Sequence, residues 1–288
     1  MRTSDWIQTG FAAILALVAW IRTLPTGRQW ITTLLAAFAI IAVAVARFST
    51  YVLTPPQASA FRDWLPVALM LVPYWQTGQF FMGPNERIQN RLAEIDRRLS
   101  NVVPHPAKVP GRFTQLSMEW AYMFCYPMVP CGLGVIYAAG LRQYTSTFWF
   151  IVLVSTYLCY AITPFVPALP PRSITRKQST VAAANTGRVM NLWILQHGSI
   201  HAISFPSAHV ASALAVSLVL LRFVPIAGVV FLVISFWIAV AAITGGYHYA
   251  IDVLLGAAIA LIVAAAWFFH LIPSTLITAA AIALAATL

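Results

Sequence analysis

Two histidines and one aspartate carry the chemistry open to this sequence. One histidine stands in "SFPSAHVASALAV", residues 204–216, and the other in "ITGGYHYAIDVLLG", residues 243–256. His248 and Asp252 are four positions apart, so on a helix they share a face and the carboxylate reaches the imidazole. A carboxylate so placed fixes the tautomer of the ring and stabilises its protonated form. His209 falls in the first turn of a predicted helix, because Ser204 can cap it, Pro206 suits its start and the apolar run opens at Val210. Amides at a helix N-terminus carry partial positive charge and bind phosphate. Here they are those of Ser207, Ala208 and His209, with the Ser207 hydroxyl beside them. Gly245 and Gly246 turn the chain ahead of His248 and let backbone approach a ligand without interference from a Cβ.

A nucleophile, an acid that orients it, a proton donor for a leaving group and an anion-binding helix end are the parts of a phosphoryl-transfer site. Cations to hold the phosphate are at hand in "PFVPALPPRSITRKQS", residues 164–179, where Arg172, Arg176 and Lys177 follow a run of prolines. The structural alternatives are a His248–Asp252 pair that merely ties helices together and basic residues that merely anchor span ends at the interface. His197 and His201 are placed in a loop at the entrance, without a catalytic role. The histidines and aspartate could instead form a facial triad for a metal, but an arginine-rich loop and a helix N-terminus suit an anion better. No metal or organic cofactor is expected. A proton-coupled transporter is a further alternative, yet no inverted repeat and no mid-span charge is visible.

The elements that must position these groups lie in a bilayer. The chain has 288 residues, is 60% hydrophobic and only 8% charged, with a mean hydropathy of +0.81. A membrane-spanning helix needs about 20 mostly apolar residues, and roughly eight such stretches are legible, near 6–24, 29–46, 61–82, 117–140, 145–168, 207–223, 226–244 and 249–270. The expected fold is therefore all-α, a polytopic integral membrane helical bundle. The first stretch reads as an uncleaved anchor, since Trp20 and Arg22 stand where small residues would mark a cleavage site. Cys125, Cys131 and Cys159 sit in apolar spans without metal-binding spacing and read as packing.

Four regions follow: amino-terminal spans over 1–84, an interfacial amphipathic segment over 85–116, a catalytic core over 117–270, and an apolar segment over 271–288 that could be a further span. In the second region Ile88, Leu92, Ile95, Leu99 and Val102 recur at helical spacing with charges opposite them, the pattern of a helix lying at the membrane surface with arginines toward anionic headgroups. An ordinary solvated loop helix fits that pattern equally. Basic residues are otherwise scattered among membrane loops, which excludes a nucleic-acid stripe. Connectivity brings the end of the fifth span, the start of the sixth and the turn before the eighth to one side of the membrane.

"FPSAH" and "HYAID" resemble the second motif and part of the third of the type-2 phosphatidic-acid phosphatase and haloperoxidase superfamily, over roughly residues 117–265. With "PFVPALPPR", they are most similar to its inositol-phosphorylceramide synthase branch. The resemblance implies that His248 forms a phosphohistidine, that Asp252 is its partner and that His209 protonates the leaving oxygen. The superfamily's first motif would place a lysine where Phe165 stands and a proline at Ser173, and the serine–arginine pair of the third would fall on Ala241 and Ala242. Ala208 replaces a usual glycine. The proton chemistry is complete while the phosphate clamp is thinned, which argues against a vanadate peroxidase and toward a singly charged phosphodiester. The expected activity is transfer of a phosphate-bearing headgroup from a membrane lipid to a hydroxyl acceptor, with lipid phosphate hydrolysis as the alternative. Orientation is contested. Arg22, Arg28 and the basic residues of 87–112 and 172–188 outnumber Arg2, Arg47, Arg62, Arg142 and Arg222 on the other face, which favours a cytoplasmic site. The resemblance favours the periplasmic or lumenal face of a bacterial-type inner membrane or its equivalent, and is followed here.

Overall fold

The computed structural model describes residues 1–102, 112–174, 186–200 and 202–269. Among these the secondary structure is helical, with no strand. The order is α1 (Thr3–Ile21), α2 (Thr26–Phe48), α3 (Pro55–Leu69), α4 (Leu71–Gly78), α5 (Glu86–Val102), α6 (Arg112–Met123), α7 (Met128–Ala138), α8 (Thr145–Ile162), α9 (Pro171–Ile174), α10 (Thr186–Gly198), α11 (Ala208–Phe223), α12 (Pro225–Thr244) and α13 (Ala250–Phe268).

By length and composition five helices can cross a membrane, and a sixth can if the bent pair α6–α7, angled by 66°, counts as one span. The expected eight are not all of that length. The stretch 61–82 divides at Met70 into α3 and α4, each of which contains a proline, Pro66 and Pro73. Helix α11 has 16 residues, about 24 Å at 1.5 Å per residue, short of a hydrocarbon core of about 30 Å. The apolar segment 271–288, His105, His201 and His270 lie outside the described residues.

Helix α11 forms the centre of the carboxy-terminal half. Ala211, Ala213, Ala215, Val216, Val219 and Leu220 are fully buried there, packed among α7, α8, α12 and α13. Small residues let these helices approach closely: a Cβ at Gly228 of α12 would lie 2.2 Å from the Leu221 amide nitrogen. The outer faces stay apolar, with Ile226, Val233 and Phe236 of α12 and Leu254 and Ile262 of α13 exposed, as a surface bathed in lipid requires.

Charges are sorted to the two ends of the bundle. Away from the histidines, Asp63 of α3 accepts hydrogen bonds from Arg2, from Tyr137 (2.5 Å) and from Arg142 (2.9 Å), tying the segments just before α1 and α8 and the end of α7 to α3. At the other end the start of α11 meets the start of α13, where the Ser207 amide donates to the Asp252 carbonyl at 3.2 Å. The end of α8 joins them through Thr163, whose hydroxyl donates to the Phe205 carbonyl.

Candidate active site

His248 follows the turn that ends α12. Gly246 adopts φ +68°, a conformation few side chains tolerate, and the amides of Tyr247 and His248 both donate to the Ala242 carbonyl. This fixes His248 one helical turn before Asp252, and the imidazole Nδ1 lies 2.5 Å from Asp252 Oδ2. Both are buried, Asp252 completely. With Nδ1 held by the carboxylate, Nε2 is the nitrogen left to act on a substrate. Asp252 Oδ1 has no hydrogen-bond partner among the described residues.

His209, in the first turn of α11, presents its ring nearly perpendicular to that of His248, with centroids 5.9 Å apart. Tyr122 of α6 and Tyr126, in the break between α6 and α7, contact His209 edge-on at 6.0 and 5.8 Å. The break thus forms a wall of the site. Gly256 makes the juxtaposition of α11 and α13 possible, since a Cβ there would stand 2.4 Å from the Ser207 carbonyl oxygen.

The residues expected to hold a phosphate divide into three groups. Arg172 is brought to the site: its amide donates to the Gly246 carbonyl at 3.0 Å, and its guanidinium lies 4.9 Å from the ring centroid of Tyr247, the residue before His248. Burial lowers its pKa, but a guanidinium remains charged at neutral pH, and among the described residues no carboxylate side chain is within ion-pair distance of it. Ser207, Ala208 and Gly246 are instead engaged within the protein. The helix is capped by Ser207 in place of Ser204, the Ala208 amide donates to the Ser204 hydroxyl at 3.3 Å, and the Gly246 amide donates to Ile243. Only the His209 amide of the expected three makes no hydrogen bond to a described residue. Arg176 and Lys177 lie outside the described residues, and His197 sits exposed on α10, stacked on Trp193. Among the described residues no group of three His, Cys, Asp or Glu side chains is arranged to hold a metal ion.

Two sets of neighbours were not anticipated. Glu119, Arg188 and Asn191 form a buried polar cluster on Tyr247. Helix α5 docks on the active-site loops: Leu92 packs against Ala168, Ile203 and Tyr249, the Gln89 side chain joins Leu169 to the Tyr249 hydroxyl, and Asp96 accepts the Ala250 amide at 2.6 Å. Asp96 therefore caps the helix that carries Asp252. Glu119 could have been suspected, because an acid within an apolar stretch is costly unless paired; Arg188, in a polar connection by sequence and in α10 in the structure, carried no such signal. An N-cap contributes on the order of 1 kcal/mol. Asp96→Ala should lower kcat about fivefold at unchanged KM, with Asp96→Asn, which keeps an acceptor oxygen, near wild type; steady-state kinetics of the purified variants would show it.

A helical membrane bundle that sets a histidine–aspartate pair and a second histidine at adjacent helix starts, beside an arginine, is built for phosphoryl chemistry on lipids. The family comparison agrees. The model of the PAP2 superfamily matches residues 90–266, and the chain belongs to that superfamily. Its members are phosphatases or phosphotransferases, so the protein is an enzyme of this kind, a lipid phosphoesterase in general terms. The match begins within α5, the helix that clamps the active-site loops. No curated protein and no solved structure is a significant match.

Proposed function

We propose that the enzyme transfers a phosphate-bearing headgroup from a phosphodiester lipid to a second hydroxyl through a phosphohistidine on His248. The carrying observation is the 2.5 Å contact of His248 Nδ1 with the buried Asp252, with His209 facing the same ring at 5.9 Å. Asp252 holds the proton on Nδ1, so the Nε2 lone pair attacks phosphorus. The bond from phosphorus to the diacylglycerol-like alcohol breaks, and that oxygen takes a proton from His209, whose imidazolium form the negative charge of the bound phosphate stabilises. The headgroup phosphate now sits on His248 Nε2. An acceptor hydroxyl then gives its proton to neutral His209 and attacks phosphorus, and Nε2 leaves with its electron pair. Arg172 faces the phosphate throughout.

A singly charged donor is supported by the thin clamp. Phe165 and Ala242 replace cations, and Arg172 is the arginine that reaches the site without a carboxylate partner among the described residues. A phosphomonoester approaches two negative charges near neutral pH and spreads them over three oxygens in its transition state. The nearest branch by resemblance, inositol-phosphorylceramide synthase, points to an inositol-phosphate type headgroup. The second reading, hydrolysis of phosphatidic acid or a prenyl pyrophosphate, uses the same steps with water as acceptor. Incubating purified enzyme with a panel of lipid phosphates and phosphodiesters and identifying the products separates them. Transfer of a headgroup to an added lipid alcohol is expected, and faster release of inorganic phosphate from a phosphomonoester would overturn the transferase.

The active site is placed on the periplasmic or lumenal face on the strength of the resemblance. Met82 is exposed three residues before Asn85, whose amide donates to the Pro167 carbonyl. A Met82→Cys variant in a cysteine-free background should react with an impermeant thiol reagent in intact cells; protection would put the site in the cytoplasm.

A further inference from the structure

The proposed reaction leaves Glu119 unused, although it is an acid held beside the residue that precedes His248. Its Oε1 accepts from Arg188 Nη1 at 3.0 Å. Its Oε2 accepts from the Tyr247 hydroxyl at 2.5 Å and from Asn191 Nδ2 at 2.7 Å. Arg188 Nη1 also donates to the Gly245 carbonyl at 3.1 Å, and the guanidinium lies over the Tyr247 ring. The ion pair is nearly closed to solvent, with side-chain exposures of 11% and 12%, so its two charges cancel locally with little screening. Tyr247 precedes His248 in the chain, stacks on Tyr122 at 3.9 Å and carries the Arg172 guanidinium on its ring. The Arg188 and Arg172 guanidinium groups thus share that ring, at 5.3 and 4.9 Å from its centroid.

We propose that Glu119 determines specificity by setting the net charge of the phosphate site: it neutralises Arg188, leaves Arg172 as the uncompensated arginine among the described residues, and so favours a phosphate with one negative charge over one with two. Two arginines beside a reacting phosphate would suit a dianion. With Glu119 in place, Arg188 supplies a rigid brace for the 245–248 turn without adding net positive charge. A unit charge on the order of 10 Å from an anion, at the effective dielectric constant of such sites, changes the binding of one extra charge by about tenfold. The inference rests on the proposed role of Arg172 as the phosphate-facing cation.

The test compares kcat/KM for a diacyl phosphodiester and for phosphatidic acid with the same acyl chains, in purified wild type, Glu119→Gln, Glu119→Asp and Arg188→Gln. Glu119→Gln should move the ratio about tenfold toward the monoester, Arg188→Gln should move it a similar amount toward the diester, and Glu119→Asp should leave it within about twofold of wild type. Opposite signs are the mark of an electrostatic role, because loss of a merely structural brace slows both substrates together. Shifts of the same sign, or an unchanged ratio in whichever variants fold by thermal unfolding in detergent, would overturn the proposal. If wild type preferred the monoester, the transferase reading would fail, yet opposite shifts in the two variants would still establish the role of Glu119.

Discussion

Replacing His248 by alanine should reduce turnover by about 10⁴-fold or more, since no neighbouring group can take over as nucleophile. His209 is the nearest substitute, but no carboxylate orients it as Asp252 orients His248. Asp252→Asn should cost about 10²–10⁴-fold, because an amide that donates toward Nδ1 favours the tautomer with the proton on Nε2 and removes the attacking lone pair. His209→Ala should slow donors with poor leaving groups most, while a donor with an activated phenol as leaving group loses little. Rates of the purified variants, with thermal unfolding to confirm folding, would check all three. Near wild-type turnover in His248→Ala would rule out the phosphohistidine.

Gly256→Ala should also lower turnover sharply, although the methyl group touches no substrate. Its Cβ would stand 2.4 Å from the Ser207 carbonyl oxygen and 3.2 Å from the carbonyl carbon, all backbone atoms that cannot rotate away. The start of α11 must shift, carrying His209 from its place opposite His248. Misplacement of a reacting group by about 1 Å can cost 10²-fold in rate, and overpacking costs about 1–3 kcal/mol of stability. A roughly hundredfold lower kcat is therefore expected, with a lower unfolding temperature. Gly27→Ala, where an added methyl meets nothing within 4 Å, is the control and should behave as wild type. Equal kinetics for the two variants would mean that α11 and α13 slide without consequence for the site.

The sequence by itself determined the solvent, the helical class and the central pair. Bilayer-length apolar runs are a property of composition, and the His248–Asp252 contact is local, set by the four-residue repeat of a helix start. The motifs around His209 and His248 were enough to point to the superfamily that the matched region bears out. Span count was less legible, because hydropathy does not distinguish a straight span from α3 and α4, broken at Met70, or from a short buried helix such as α11. Tertiary structure alone decided which backbone donors stay available, as Ser207, Ala208 and Gly246 spend their amides on Asp252, Ser204 and Ile243. It alone joined Glu119 to Arg188 and Tyr247, and Asp96 to Ala250, across long stretches of chain. Such partners carry no periodic signal; a buried charge takes whichever opposite charge or donor the packing of distant helices brings within reach, because leaving it unpaired costs too much.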